Sequence, residues 1–263
     1  MAASGVSEQS HERAAALLPG VPIRSVEEVV ARAELVLLTV PDDVLPGLVA
    51  GLSATSSWQA GQLVVHTSGR YGASVFDAAA GHHLLGLALH PAMTFTGTSM
   101  DLQRLLDCCF GITAPASLRP VAEALVVEMG AEPVWIEEKD RPMYHAGLSH
   151  GANHLVTLVA QAVQVVASAG VQEPQRLIAP LLHAALDNAL RLGDSAITGP
   201  VARGDAGTVA AHLEQLDHQS PDIRPTYVAL ARATAERALA SGRLTASDAE
   251  PLLDILAAPE ESP

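Results

Sequence analysis

The sequence predicts an α/β layer built on a mostly parallel sheet, followed by an all-α domain at the C-terminal side. Three observations carry this. Short apolar runs alternate with helical patterns from the start to about Ile136, and strands that return through helices form parallel sheets. After Glu137 the pattern changes to helical periodicity, with no convincing strand. A charged turn, Lys139-Asp140-Arg141-Pro142, stands at the change and sets the domains at 1–139 and 140–263.

The elements follow in order. Ser7 to Leu18 reads as a helix stopped by Pro19-Gly20, and Ser25-Val26-Glu27-Glu28 is a capping box opening a second. Leu35 to Val40 is apolar on both faces, as a central parallel strand should be. Asp42 or Asp43 is placed to cap a helix running through Leu52. Leu63–Thr67, His83–Leu89, Cys108–Thr113 and Pro133–Ile136 read as strands, with a helix from Leu118 to Met129 before the last. Met143 to Ala169 reads as one long helix. Leu177–Leu190, Ala206–Leu216, Thr226–Ala240 and Ser247–Leu256 follow, and the tail Pro259–Pro263 is expected to be loose.

Composition excludes several functions. The formal charge is −14 with no basic run, which argues against nucleic acid and against anionic membrane surfaces. His154 to Val171 is apolar but broken by Gln161 and Gln164, so it reads as a buried helix and not as a membrane span. The start has no signal-peptide core, and the adjacent Cys108 and Cys109 suit core filling in a reducing compartment, which points to the cytoplasm. The only lysine is Lys139, so lysine chemistry must use it or not occur.

A sheet of this kind binds ligands at the carboxyl ends of its strands, and a dinucleotide there needs a glycine-rich turn after the first strand. No G-x-G-x-x-G occurs. Ala2 to Ser7 resembles the tail of a second strand entering its helix, so the fold is expected to be N-terminally truncated, lacking its first β-α unit; a complete fold that never held a dinucleotide is the alternative. The turn at that point offers Ser4, Ser7, Ser10 and Arg13 where NAD sites place an acid. Hydroxyls at a helix start plus an arginine suit a 2′-phosphate, although Ser7 also serves as a plain cap and Arg13 as a surface residue.

Ser7-x-x-Ser10-x-x-Arg13, Leu37-Leu-Thr-Val-Pro-Asp42, His66-Thr-Ser-Gly69 and His90-Pro-Ala-Met-Thr-Phe-Thr-Gly97 occur in order, then Tyr144-His145, Asn153 and Thr198-Gly-Pro-x-x-Arg-Gly-Asp205. Over essentially the whole chain this resembles the Rossmann-like proteins with a C-terminal DUF2520 helical domain. That family is similar in architecture to ketopantoate reductase, pyrroline-5-carboxylate reductase and the β-hydroxyacid dehydrogenases, and some members look like an alternate ketopantoate reductase serving pantothenate and coenzyme A synthesis. The resemblance implies an oxidoreductase that uses NADP, a small keto-acid substrate and a homodimer paired through the helical domain. The chain departs from the family at its start, where the glycine-rich loop is absent.

Reduction of a ketone by nicotinamide needs a donor for the developing alkoxide and a proton from a group of suitable pKa. The turns Val40-Pro41-Asp42 and Thr67-Ser68-Gly69 follow successive strands and could approach ribose and nicotinamide; Pro41 and Gly69 are equally turn punctuation. His90, at a strand end, is one candidate proton donor. His145, Ser149 and Asn153 share a helix face, on which Asn153 matches the carbonyl-orienting Asn of the related dehydrogenases and Ser149 stands where they have Lys. His145 is therefore the first choice for the proton. Arg203, beside the helix that Asp205 caps, is placed to hold a carboxylate, and Thr198 to orient the carbonyl; an Arg–Asp pair stabilising the turn is the plainer account. His150 and His154 lack a third ligand for a metal. The leading expectation is NADPH-dependent reduction of 2-dehydropantoate. The alternatives are an imine or hydroxy-acid substrate, and a non-catalytic nucleotide-binding or dimerisation module.

Overall fold

The structure is a computed structural model and describes residues 1–257. The expected loose tail lies outside them. The chain divides into two compact units, Met1–His154 and Leu155–Pro263.

The first unit holds a five-stranded sheet of β1 (Leu35–Leu38), β2 (Leu63–His66), β3 (Leu85–Pro91), β4 (Cys109–Thr113) and β5 (Glu132–Trp135), in that spatial order. Pairings β1–β2, β2–β3 and β4–β5 are parallel and β3–β4 is antiparallel, so the sheet is mostly parallel, as its alternating pattern predicts. Helices α1 (Glu8–Leu17) and α2 (Val26–Val30) precede β1; α3 (Leu45–Ala54), α4 (Met100–Leu106) and α5 (Arg119–Glu128) connect β1 to β2, β3 to β4 and β4 to β5, and a 3-10 helix over Ala73–His82 connects β2 to β3. Two cores result. One gathers Val36, Leu38, Val49, Leu52, Val64 and Phe76; the other gathers Val65, Leu87, Leu89, Phe110, Ile112 and Val126. Gly86 makes the first possible, because a Cβ there would stand 2.3 Å from the Phe76 ring.

Local signals are realised where the chemistry is local. The Ser25–Glu28 box forms with both of its hydrogen bonds. Buried Gln62 donates to the carbonyls of Val30 (2.7 Å) and Ala33 (2.6 Å), satisfying acceptors around the end of α2. The cap expected from Asp42 or Asp43 does not form. Here α3 begins after Val44 with no side-chain cap, because Pro41 opens a turn that carries the chain on before the helix starts. The expected central strand also differs: β1 is an edge among the described strands, and Leu35 and Leu37 are exposed. Ala3 forms an isolated parallel bridge with Ile23 and pairs with no strand of the sheet.

The expected helix Met143–Ala169 is three pieces: α6 (Arg141–Leu148), a π-helical turn over Ser149–Asn153, and α7 (His154–Ser168). Single π turns recur at functional sites. The first compact unit thus runs past the change of pattern at Lys139–Pro142, because α6 carries Arg141 into the sheet.

The second unit contains most of α7, then α8 (Pro174–Leu192), α9 (Ala206–Leu216), α10 (Ile223–Ala240) and α11 (Ala246–Leu256). Its core packs Val209, Leu213, Leu252 and Leu256 on the alanines 231, 235 and 238 of α10, a small-residue stripe that lets α9 and α11 approach closely. Gln161 of α7 donates to Asp222 (2.6 Å) and Thr226 (3.3 Å) at the start of α10. No helix among the described residues is long and apolar enough to cross a membrane.

Candidate functional site

The site is built from the carboxyl end of β2 outward. His66 ends that strand and is completely buried. Its Nδ1 accepts from the Ser68 backbone N–H at 3.2 Å, which leaves Nε2 as the protonated nitrogen, donating to the Gly72 carbonyl at 2.9 Å. The Ser68 hydroxyl accepts from the N–H groups of Arg70 and Tyr71. The Glu138 carboxylate completes the turn by accepting from Ala73 N (2.9 Å), Ser74 N (3.3 Å) and Ser74 Oγ (2.5 Å). The neutral imidazole thus fixes the Thr67-Ser68-Gly69 turn.

Burial, with a smaller contribution from the nearby Arg141 charge, lowers the His66 pKa to about 4. The unfolded chain takes up this proton near pH 6.5, so between pH 6.5 and 4 it binds more protons than the folded chain, and stability falls as pH falls. Urea unfolding should show a loss of about 3 kcal/mol across that window from His66, absent above pH 7. A His66→Asn chain should be less stable at pH 7 and show a flatter profile. An unchanged slope in that variant would mean that His66 is not the group taking up the proton.

Arg141 is the largest fully buried side chain. Its Nε donates to Thr113 Oγ1 (2.7 Å), Nη1 to the Ser68 carbonyl (3.3 Å), and Nη2 to the carbonyls of Ala88 (3.1 Å) and Gly111 (2.9 Å). The guanidinium therefore ties the β2 turn, β3 and β4 to α6. Desolvation lowers its pKa to about 10, so it stays charged at neutral pH.

Above it stands a cluster of rings. His90, in β3, has Nδ1 2.8 Å from the Tyr144 hydroxyl, with the two rings perpendicular. The His145 ring lies 6.2 Å from that of His90, also edge-on, and its Nδ1 is 3.9 Å from Asp42. Two glycines make room. A Cβ on Gly69 would stand 2.7 Å from His145 Cδ2 and 2.9 Å from His90 Nε2; one on Gly111 would stand 2.5 Å from the Tyr144 hydroxyl. Burial, then the Arg141 charge, lowers the His90 pKa to about 4, so its ring is neutral at pH 7. Burial raises that of Tyr144, against a smaller opposing pull from Arg141.

The sequence-predicted residues are thus brought together in part. Asp42, Ser68, Gly69, His90 and His145 meet; Val40 and Pro41 precede Asp42 in its turn, and Thr67 precedes Ser68. Ser149 and Asn153 bound the π turn, and Asn153 is exposed. Ser7 and Ser10 stand with hydroxyls 2.8 Å apart at the start of α1; Ser4 is exposed just before them, and Arg13 reaches the loop after β3 at Gly97. Arg13 has no ion pair among the described residues. Hydroxyls at a helix N-terminus and a guanidinium are donors of the kind a phosphate monoester takes, and Ser7, Ser10 and Arg13 lie on the first turns of α1. Thr198 and Arg203 belong to the second unit, both exposed, with Asp205 capping α9 as expected by accepting from Thr208 N. His150 and His154 face each other at 3.0 Å, and no metal-holding group of three ligands exists among the described residues.

Sequence reasoning gave no role to His66, Arg141 or Tyr144. Only Arg141 left a usable signal: it opens α6, where a positive charge opposes the helix dipole, so its retention there implies specific acceptors.

Residues 1–91 match the family described as a Rossmann-like domain, and residues 108–234 match the domain of unknown function DUF2520. Among solved structures, one from Bacteroides fragilis, described as an NADP oxidoreductase, aligns with a TM-score of 0.75 at 20% identity, covering 90% of this chain and 88% of its own. The protein TM1727 of Thermotoga maritima aligns at 0.64 with 19% identity, covering 91% and 90%. An imine reductase from Myxococcus stipitatus in complex with NADP+ aligns at 0.60 with 15% identity, covering 91% and 86%. At these identities the likeness is one of fold. No curated protein matches the chain by sequence.

Proposed function

We propose that this Rossmann-like, DUF2520 domain-containing protein is an NADPH-dependent reductase of a small 2-keto acid, with ketopantoate the leading substrate. The observation that carries the reading is the cluster of Asp42, His145, His90 and Tyr144 around Gly69, at the strand ends where open α/β sheets take their ligands. It combines groups able to move a proton with a turn whose backbone is held rigid by His66 and Arg141. An NADP cofactor is supported by the similar folds, among them an imine reductase in complex with NADP+, and the hydroxyls at the start of α1 suit its phosphate.

Ser7, Ser10 and Arg13 would hold the 2′-phosphate, with Ser4 beside them. The Val40–Asp42 and Thr67–Gly69 turns would flank the ribose and nicotinamide. Bound NADPH supplies the hydride. The proton enters through His145 or His90, Asn153 and Thr198 orient the carbonyl, and Arg203 holds the carboxylate. A C=N substrate is the second reading, favoured by the imine reductase among the similar folds. NADPH oxidation followed at one wavelength, with ketopantoate, other 2-keto acids and cyclic imines compared, tests both. Turnover with ketopantoate at least tenfold above the rest is the expected result. Turnover with imines alone would replace the substrate, and no turnover with any would overturn the reductase reading.

The working form is a homodimer in the cytoplasm. Helices α7 and α8 leave Val156, Leu177, Leu181 and Leu190 exposed, which a second copy would cover, and both cysteines are free thiols. Sedimentation at micromolar concentration should give twice the chain mass; a monomer would remove the dimer from the proposal.

A further inference from the structure

Resting on the reductase reading, we propose that Tyr144 is the catalytic residue that hands the proton to the substrate oxygen, and that His90 holds its hydroxyl and reloads it. The geometry orders four groups from the outside inward. Asp42 and His145 are partly exposed, with side-chain exposures of 28% and 37%. His90 comes next, edge-on to His145, and Tyr144 is last, bonded through its hydroxyl to His90 Nδ1. The bare backbone of Gly111 sits beneath that hydroxyl, and the Arg141 guanidinium carbon lies 5.8 Å from the ring centroid.

The roles follow from charge. His90 is half-buried beside a permanent cation and is neutral at working pH, so it has no imidazolium proton to give. A phenol has one, and the phenolate left behind is stabilised by Arg141. Hydride from a reduced nicotinamide forms the new C–H bond, and the C=O π pair moves onto oxygen. That oxygen takes the Tyr144 proton, and the phenolate takes the Nδ1 proton of His90. As it gives up that proton, His90 takes one at Nε2 from solvent that enters past His145, so the ring passes from one neutral tautomer to the other and is never an imidazolate. No other group of the cluster offers an O–H donor at this position.

The test uses the full chain with Tyr144→Phe and His90→Gln, read in three ways. Without cofactor, carbon-13 NMR of ring-labelled tyrosine is simple, since the chain has three tyrosines. The Tyr144 resonance should move in His90→Gln while those of Tyr71 and Tyr227 stay. NADPH binding, followed by its fluorescence, should change less than about twofold in Tyr144→Phe. Turnover of the best substrate should fall about 10²–10⁴-fold in that variant, with KM nearly unchanged. His90→Gln should lower kcat and alter its pH profile without altering KM, and it carries the test if Tyr144→Phe does not fold. A Tyr144→Phe chain as active as the parent would overturn this assignment and leave the reductase reading intact. A Tyr144 resonance indifferent to His90→Gln would overturn the reloading role. A parent chain inactive on every carbonyl and imine would overturn both.

Discussion

Replacing Arg141 by Met should cost about 3–5 kcal/mol of stability, the largest effect expected from any single substitution in this chain. The guanidinium is wholly buried and serves four acceptors. Met fills similar space but leaves the carbonyls of Ser68, Ala88 and Gly111 without that donor in a site closed to water. Thr113 is the least affected, because its hydroxyl still donates to the Ile136 carbonyl. Lys should be nearly as damaging, since a point charge on a flexible stem cannot reproduce a fork that reaches three segments. Urea unfolding at pH 7 reads the loss directly. A cost under about 1 kcal/mol would mean that water takes the place of the guanidinium, and the account of Arg141 as the tie between β3, β4 and α6 would fail.

Gly69→Ala should separate activity from stability. The Gly69 backbone has no positive φ, so alanine meets no conformational penalty there. The added methyl instead stands 2.7 Å from His145 and 2.9 Å from His90, distances that force both rings to move. Stability should fall by about 1–3 kcal/mol, as for other overpacked sites. Activity should fall at least about 100-fold, because a displacement near 1 Å misaligns a proton-transfer chain. Steady-state rates and urea midpoints measured on one preparation distinguish the two. Full activity in the alanine variant would show that the rings around Gly69 play no part in turnover.

Much of the fold is legible in the sequence because its causes are local. The Ser25–Glu28 box and the Asp205 cap act across three residues and form as written. Alternation of strand and helix dictates a mostly parallel sheet whatever the details of packing. The site was legible only in outline. Spacing of four placed His145, Ser149 and Asn153 on one helix face, but the backbone there bonds five residues apart, which shifts the face within the turn. Asn153 is exposed, as are its neighbours from His150 to Leu158. The capping role expected of Asp42 lapsed for a related reason: the turn after Pro41 starts the helix later and frees its carboxylate to approach His145.

By itself the sequence determined the class of fold, the order of its elements, the caps at Ser25 and Asp205 and the strand-end turns, all set by periodicity and by bonds between near neighbours. Only the tertiary structure decided that Arg141 is buried, that His66 and His90 are neutral, and that Tyr144 meets His90 across fifty-four positions of chain. The physical reason is desolvation. Whether an arginine or histidine is a solvated surface group or the centre of a site depends on which distant carbonyls and rings close over it, and no local pattern records that.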